Sequence, residues 1–339
     1  VTLLRVIACL AFLGALGGCG APTPSSSPTT PAAPEPSAAG SLPRTEYHSG
    51  EPAVRGEPID PAELSGRIVF DDFEDVFVMD VDGSNLVTVA SERGAEFDGE
   101  LSPDGAWVVY RDSTRGINTD DEIAVVRGDG SQRRILTNDP ANDWGPTWSP
   151  NGATIAFNSD RDATPLGGYQ MDADGANVRR LDIEGWFEYP SFSPDGSKLA
   201  FMGHRGSDYD IFVADVSSGA VERLTDAPGG DGWPAWSPDG STIAFSSERD
   251  DCTFARSDVD CWRADARDQH ADIWLMDADG GNQRRLTPEV SQFVAWSPEG
   301  DYLVVSGHAL FVVRPDGTGR LELRADGIDR PLGGIPDWG

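Results

Sequence analysis

Acidic residues recur just ahead of aromatic ones along this chain: Asp143-Trp144, Glu188-Tyr189 and Asp231-Gly232-Trp233. Glu96, Asp98 and Phe293 hold comparable places in neighbouring stretches. Carboxylates gathered from several segments can hold a hard cation through oxygen ligands, with Asp143 and Asp231 the pair named for Ca²⁺. Rings beside them can receive a sugar or a cationic peptide side chain, the latter partly through cation–π attraction. The plainer reading is a water-filled acidic funnel whose aromatics belong to the core between structural units. A paired-carboxylate glycosidase or lyase would need two acids set apart from the rest. Nothing in the spacing selects such a pair, and no basic or histidine partner stands out, so no catalytic residue is assigned. The four histidines, His48, His204, His270 and His308, lack metal-ligand spacing.

The elements that must position these residues are written in a repeat. Ser102-Pro103-Asp104-Gly105 returns as Ser149-Pro150-Asn151-Gly152, Ser193-Pro194-Asp195-Gly196, Ser237-Pro238-Asp239-Gly240 and Ser297-Pro298-Glu299-Gly300. Each follows an apolar residue (Leu101, Trp148, Phe192, Trp236, Trp296), and successive serines stand 44 to 60 residues apart. A period of this size marks a repeat architecture. Pro second and Gly fourth is type I turn chemistry, linking a short aromatic strand to a returning strand such as Ile243-Ala244-Phe245. A third strand, Asp272-Ile273-Trp274-Leu275-Met276, and an Asp-x-Asp-Gly turn lead to a polar outer strand. Four short antiparallel strands with turns at fixed offsets make a propeller blade. No convincing 3.6-residue apolar period appears in this region, so the fold class is all-β.

The turn between third and fourth strands occurs six times, at Gly83, Gly130, Gly175, Gly219, Gly280 and Gly317, whereas the Ser-Pro-x-Gly turn occurs five times. The blade lacking the latter is the first, which opens on Arg67-Ile68-Val69-Phe70, a second strand. Ile335-Pro336-Asp337-Trp338 copies the Pro-x-Trp pattern of Pro146-Thr147-Trp148 and Pro234-Ala235-Trp236. It is therefore expected to supply the missing inner strand and close a six-bladed ring against blade one. Segments 111–121, 160–168, 204–209 and 250–271 become long loops on the face opposite the short turns. Binding is expected there, since function concentrates on variable loops borne by a rigid frame. Asp75, Glu122, Asp210 and Asp272 open third strands, and Arg161, Arg205 and Arg249 follow second strands. Their recurrence suggests that together they tie down loop backbone.

These repeats resemble the six-bladed TolB-type propeller, whose units carry W-S-P-D-G-x-x-I-A-F and D-I-W-x-M-D-x-D-G patterns. The resemblance covers residues 66–339 and implies a binding module rather than an enzyme. The same repeat forms the propeller of prolyl-oligopeptidase-type peptidases, which add an α/β-hydrolase domain. No G-x-S-x-G elbow of that domain occurs in this sequence.

Residues 1–19 read as a signal peptide: Arg5, an apolar run from Val6 to Leu16, then Cys19. Leu16-Gly17-Gly18-Cys19 resembles the bacterial lipobox, which implies lipidation of Cys19. Residues 20–65 form a linker and strap, and 20–42 are almost wholly Pro, Ser, Thr, Ala and Gly. In polyproline II, at ~3.1 Å per residue, that stretch reaches about 70 Å. Cys252 and Cys261 share one insertion, where an exported protein is expected to form a disulfide. The formal charge is −31, and Lys198 is the only lysine. Such acidity repels nucleic acid and anionic lipid. The sequence thus leads to a monomeric lipoprotein of the cell envelope, facing outside the cytoplasm and anchored only by its lipid. Its propeller would bind an envelope protein or glycan without a cofactor other than Ca²⁺. A carbohydrate or peptide receptor, or a hydrolase or lyase at the acidic mouth, is the alternative.

Overall fold

A computed structural model describes residues 56–91, 96–113, 121–162, 166–204, 208–249, 271–287, 291–307, 309–325 and 332–339. The expectations for the signal peptide, for Cys19, for most of the linker and for Cys252 and Cys261 lie outside these residues.

Alternation within the second strands explains both the sheets and their stacking. In Ile155-Ala156-Phe157, Leu199-Ala200-Phe201 and Ile243-Ala244-Phe245 the large residues face the preceding blade and the alanine faces the next. A period of two puts alternate side chains on opposite faces. Large against small lets twisted sheets wedge together radially, giving one apolar cluster at each of six blade-to-blade interfaces.

Each sheet has four antiparallel strands. Blade two comprises β4 (Glu96–Leu101), β5 (Trp107–Asp112), β6 (Glu122–Arg127) and β7 (Arg134–Ile135). Blade three follows as β8 (Asp143–Trp148), β9 (Thr154–Ser159), β10 (Gly167–Asp172) and β11 (Arg179–Arg180). Blade four is β12 (Glu188–Phe192), β13 (Lys198–His204), β14 (Tyr209–Asp215) and β15 (Val221–Arg223). Blade five is β16 (Asp231–Trp236), β17 (Thr242–Ser247), β18 (Asp272–Asp277) and β19 (Arg284–Arg285). Blade six is β20 (Ser291–Trp296), β21 (Leu303–Gly307), β22 (Leu310–Val313) and β23 (Leu321–Glu322). Blade one takes β1 (Arg67–Asp71), β2 (Val76–Asp80) and β3 (Val87–Ala90) from the start of the propeller and its inner strand, β24 (Asp337–Trp338), from the end. Ile68 pairs with Trp338 and Val69 with Asp337, as the Pro-x-Trp copy anticipated.

The short turns show why their residues recur. At 237–240 the Gly240 N–H donates to the Ser237 carbonyl at 2.9 Å. Asp239 Oδ1 accepts from Ser237 Oγ at 2.7 Å and from the Ser241 N–H at 2.9 Å. The Ser237 hydroxyl in turn accepts the Thr242 N–H at 3.0 Å, so the side chains satisfy turn backbone that no strand reaches. In the turn between third and fourth strands, Gly219 lies at φ 70°, and a Cβ there would collide with the Asp182 carbonyl of the previous blade. Glycine is required at that seam twice over, for its conformation and for the close approach.

Candidate binding site at the channel mouth

The innermost strands β24, β4, β8, β12, β16 and β20 surround a central channel. Those of blades two to six begin at the long-loop end. There Asp143 and Asp231 are fully buried, and each meets an arginine of its own blade. Arg161 Nη2 donates to both Asp143 oxygens, at 2.9 and 2.7 Å, while its Nε donates to Ser159 Oγ at 2.9 Å. Arg249 repeats the device on Asp231 at 2.8 Å and on Ser247 at 2.8 Å. The guanidinium groups lie over Tyr169 and Trp274, 4.7 and 4.5 Å from the ring centroids. A buried carboxylate must be paired, and a guanidinium that also bonds the second-strand serine is the partner the fold supplies. Burial still outweighs these arginines and leaves both aspartates titrating above their ordinary value.

This corrects one sequence expectation. Arg161 and Arg249 reach back to the inner strand instead of tying down loop backbone with the third-strand acids. Third-strand Asp210 and Asp272 are held instead by outer-strand Arg223 and Arg285, at 2.7 and 2.8 Å. Arg205 lies outside the described residues.

A second layer lies further along the same strands. Pairing between first and second strands slips by a bulge in blades two to six. Four residues ahead of the turn serine, Asp98, Gly145, Tyr189 and Trp233 adopt φ values of 59°, 57°, 48° and 49°. A non-glycine residue in this left-handed region costs about 1–3 kcal/mol, and such strain gathers at functional sites. Tyr189 and Trp233 approach to 5.4 Å between centroids, and Phe293 meets Trp233 edge-on at 5.1 Å. Trp144, Tyr189 and Trp233 are half-buried, whereas Glu96, Glu188 and Phe293 are buried. Arg111 lies 4.5 Å from the Phe97 centroid and 6.0 Å from that of Trp144, and it pairs with Asp121.

Asp98 is 6% exposed, and its Oδ2 has no hydrogen-bond partner among the described residues. Burial lifts its pKa to about 6, although Arg111 opposes the shift. Glu188 is raised to about 7, again by burial, despite the Trp186 Nε1–H donating to it at 2.9 Å. Tyr189 is pushed up by burial and then by the Asp98 charge.

Three acids escaped the sequence reading. Asp71 accepts the N–H groups of Phe73 and Ile335, each at 3.1 Å, and is raised by burial and by Asp98. Glu100 accepts the Trp148 N–H at 2.8 Å, and Asp337 accepts the Leu101 N–H at 2.9 Å. Each thereby braces its own inner strand to the next. Both are half-buried, and burial governs their titration. Asp337 rises to about 6, and Glu100 is raised by burial and then by repulsion from Asp337. Their signal in the sequence was positional: both stand where other inner strands carry Thr147, Ser191, Ala235 and Ala295.

The raised acids give stability an unusual pH dependence. With Asp98 and Asp337 at about 6, and Asp71 and Glu100 also raised, the folded protein binds more protons than the unfolded chain from about pH 4 to 6. Their contribution is fully present below that window and is lost as pH rises through it. Turn residues Asp195 and Asp215, held at about 2 by serine hydroxyls and backbone N–H groups, act oppositely and lose theirs in stronger acid. The thermal midpoint should therefore be higher near pH 4.5 than at pH 7.5, with about pH 4 marking the ordinary carboxylate range. A midpoint climbing steadily from pH 4 to pH 7.5, roughly the span tested, would contradict this assignment.

Grooves also open on the short-turn face, where the sequence placed no site. One of about 540 Å³ lies between blades two and three, against Trp107, Arg134 and Trp148. Another, of about 400 Å³, lies between blades three and four.

Comparison with known proteins agrees with this architecture. The family described as TolB beta propeller domain matches residues 65–189 and 182–253. An uncharacterised protein of Agrobacterium fabrum is 32% identical over 114 residues, a stretch covering 32% of this chain and 38% of that one. TolB from Acinetobacter baumannii superposes with a TM-score of 0.62 at 23% identity, covering 80% of this chain and 66% of its own. The tricorn protease gives 0.61 at 18% identity, covering 79% of this chain and 26% of the protease. At such identities the likeness is one of fold, shared by proteins of different activity. With the family matched over more than half of the sequence and six closed blades carrying its repeat, the chain belongs to the TolB beta propeller domain family.

Proposed function

We propose that this chain is a non-catalytic, protein-binding module of the cell envelope. It would be exported and lipid-anchored through Cys19, with residues 20–65 as spacer and 66–339 as the propeller, disulfide-stapled at Cys252–Cys261. The partner, an envelope protein, docks at the long-loop mouth of the channel. One observation carries this reading: Asp98, Tyr189 and Trp233 occupy the same repeat position in three blades, all in the strained left-handed conformation. Strain repeated at one position, where glycine serves the same backbone in blade three, favours side chains kept for recognition. Against chemistry, Asp143 and Asp231 are each engaged by an arginine.

The test places a photo-crosslinking residue at Tyr189 or, separately, at exposed Asp239 on the short-turn face, in the full-length protein in its native envelope. A discrete protein adduct from position 189 and none from 239 is expected. Equal adducts from both faces, or none from the mouth, would overturn the reading. Saturable glycan binding at the mouth without a protein adduct would favour the carbohydrate receptor instead.

A further inference from the structure

We propose that the groove between blades two and three is a second docking site, which takes an extended segment of another protein carrying proline, an aliphatic residue and a carboxylate. It lies on the short-turn face and is independent of the reading given to the channel mouth.

Blade six supplies the precedent. At the short-turn end of each blade, the residue opening the second strand lies opposite one closing the third. Four blades set an aspartate there against a polar residue, as Asp172 against Thr154 and Asp277 against Thr242. Blade two instead has Trp107 and Arg127, and blade six has Tyr302 and Arg314. The two pairs are equivalent. The Trp107 and Tyr302 N–H groups donate to the turn serines Ser102 and Ser297 at 3.0 and 3.1 Å. The Arg127 and Arg314 carbonyls accept from the turn glycines at 2.8 and 2.9 Å, and each guanidinium lies over its ring.

In blade six this pair holds an extended stretch of chain. Residues 56–65 run along its seam with blade one and read Glu57-Pro58-Ile59-Asp60-Pro61-Ala62-Glu63 from their second position. Arg314 Nη1 donates to the Glu57 carbonyl at 2.8 Å, and the Tyr302 hydroxyl donates to Glu63 at 3.1 Å. Ile59, 3% exposed, enters the apolar cluster of that seam.

At the seam of blades two and three, the matching pair borders the groove of about 540 Å³ instead. Half-buried Trp107 lines it, and exposed Arg134 brings a second guanidinium to 5.0 Å from that ring. Neither the guanidinium of Arg127 or Arg134 nor the Trp107 Nε1–H makes a hydrogen bond or ion pair among the described residues. Arg127 acts on Asp104 and Asp129 only through space. The groove's own acids serve their turns: Asp104 accepts the Ala106 N–H and Asp174 the Ala176 N–H, each at 3.0 Å. Two arginines against two aspartates leave this spot near neutral on a chain of charge −31, so it can admit an acidic segment. Its uncommitted donors call for carbonyl and carboxylate oxygens, which arginine binds with charge assistance. Apolar surface is exposed here as well. Leu86 packs into the cluster that Ile59 enters, whereas Val178, at the same turn position of blade three, is 38% exposed. An aliphatic residue seated as Ile59 is would withdraw such surface from water.

The experiment is calorimetric titration of the full-length protein with a synthetic peptide of the sequence of residues 56–65. Saturable binding at one site is expected, weakened about tenfold when the isoleucine of the peptide is replaced by serine. Trp107→Ala should lose about tenfold as a buried aromatic contact, and Arg134→Ala about tenfold as a charged hydrogen bond. Tyr302→Phe, in the seat that the chain itself fills, should leave affinity unchanged. Should Trp107→Ala fail to fold, exposed Arg134 decides. No saturable binding, or binding undiminished by Arg134→Ala, would refute the site. Binding lost in Tyr302→Phe but kept in Trp107→Ala would place the peptide in the blade-six seat and refute it equally. Dimerisation of the protein alone, abolished by Arg134→Ala in sedimentation, would make a second copy the occupant and overturn the proposed partner. Asp239 belongs to blade five, so the crosslinking result at the mouth stands or falls separately from this groove.

Discussion

Replacing Trp338 with alanine is expected to destabilise the protein by about 3–5 kcal/mol, the range for truncating a large buried aromatic. The ring is 4% exposed and lies in the cluster joining blades six and one, with Ile68, Phe70, Leu310 and Val312. Its Nε1–H donates to the Ser65 carbonyl at 2.8 Å, and Gly66 lies so close that a Cβ there would press on the indole. The strand carrying it pairs at only two positions, Ile68 and Val69. Beyond it, the Arg67 N–H donates to Gly339 at 2.7 Å and the Gly339 N–H to Arg67 at 3.0 Å. So short a ladder cannot hold the ring shut by backbone bonds alone, and the indole anchors it. Without that anchor β1 becomes an open edge, and Asp337 no longer braces blade two. Denaturant unfolding of the full chain is the measurement. A loss below about 1 kcal/mol would show that the clasp contributes little to closure.

Arg249→Ala should cost a comparable amount, about 3–5 kcal/mol, because it strands a buried carboxylate. The Arg249 side chain is 11% exposed and that of Asp231 0%, so solvent screens this pair far less than a surface ion pair. The guanidinium also bonds Gln283 Oε1 at 2.6 Å and covers Trp274, and both contacts vanish with it. Adding Asp231→Asn should recover part of the loss by removing the unpaired charge. A double-mutant cycle on unfolding free energies should therefore give a coupling above about 1 kcal/mol. Additive effects, or a single-variant cost under about 1 kcal/mol, would rank the pair with ordinary surface contacts. A practical consequence follows for ligand mapping. An Asp143→Ala/Asp231→Ala variant would lose two structural ion pairs, so any loss of binding would report weakened folding as well as a missing ligand contact.

Much of the fold was legible because its determinants are local. Ser237-Pro238-Asp239-Gly240 specifies its turn through bonds spanning a few residues, and Ile243-Ala244-Phe245 specifies which face packs which way. Repetition multiplied these signals, and one incomplete unit at each end of the propeller announced the closure by Trp338. The channel mouth was legible only as a location. Asp98, Glu188, Tyr189 and Trp233 stand on inner strands, but the left-handed conformations and the raised acids arise from bulges and burial that no short window encodes.

Partner choice belonged to tertiary structure alone. That Arg161 reaches Asp143, eighteen positions back, depends on how the second strand folds back against the inner one. That Asp337 braces Leu101, 236 positions away, depends on ring closure. From residue order alone came six sheets, their turns and the strand that seals them, since hydrogen bonds and side-chain alternation act over a few residues. Which charges are matched, and how strongly each is raised, was decided by the closed ring, because desolvation is set by everything packed around a group.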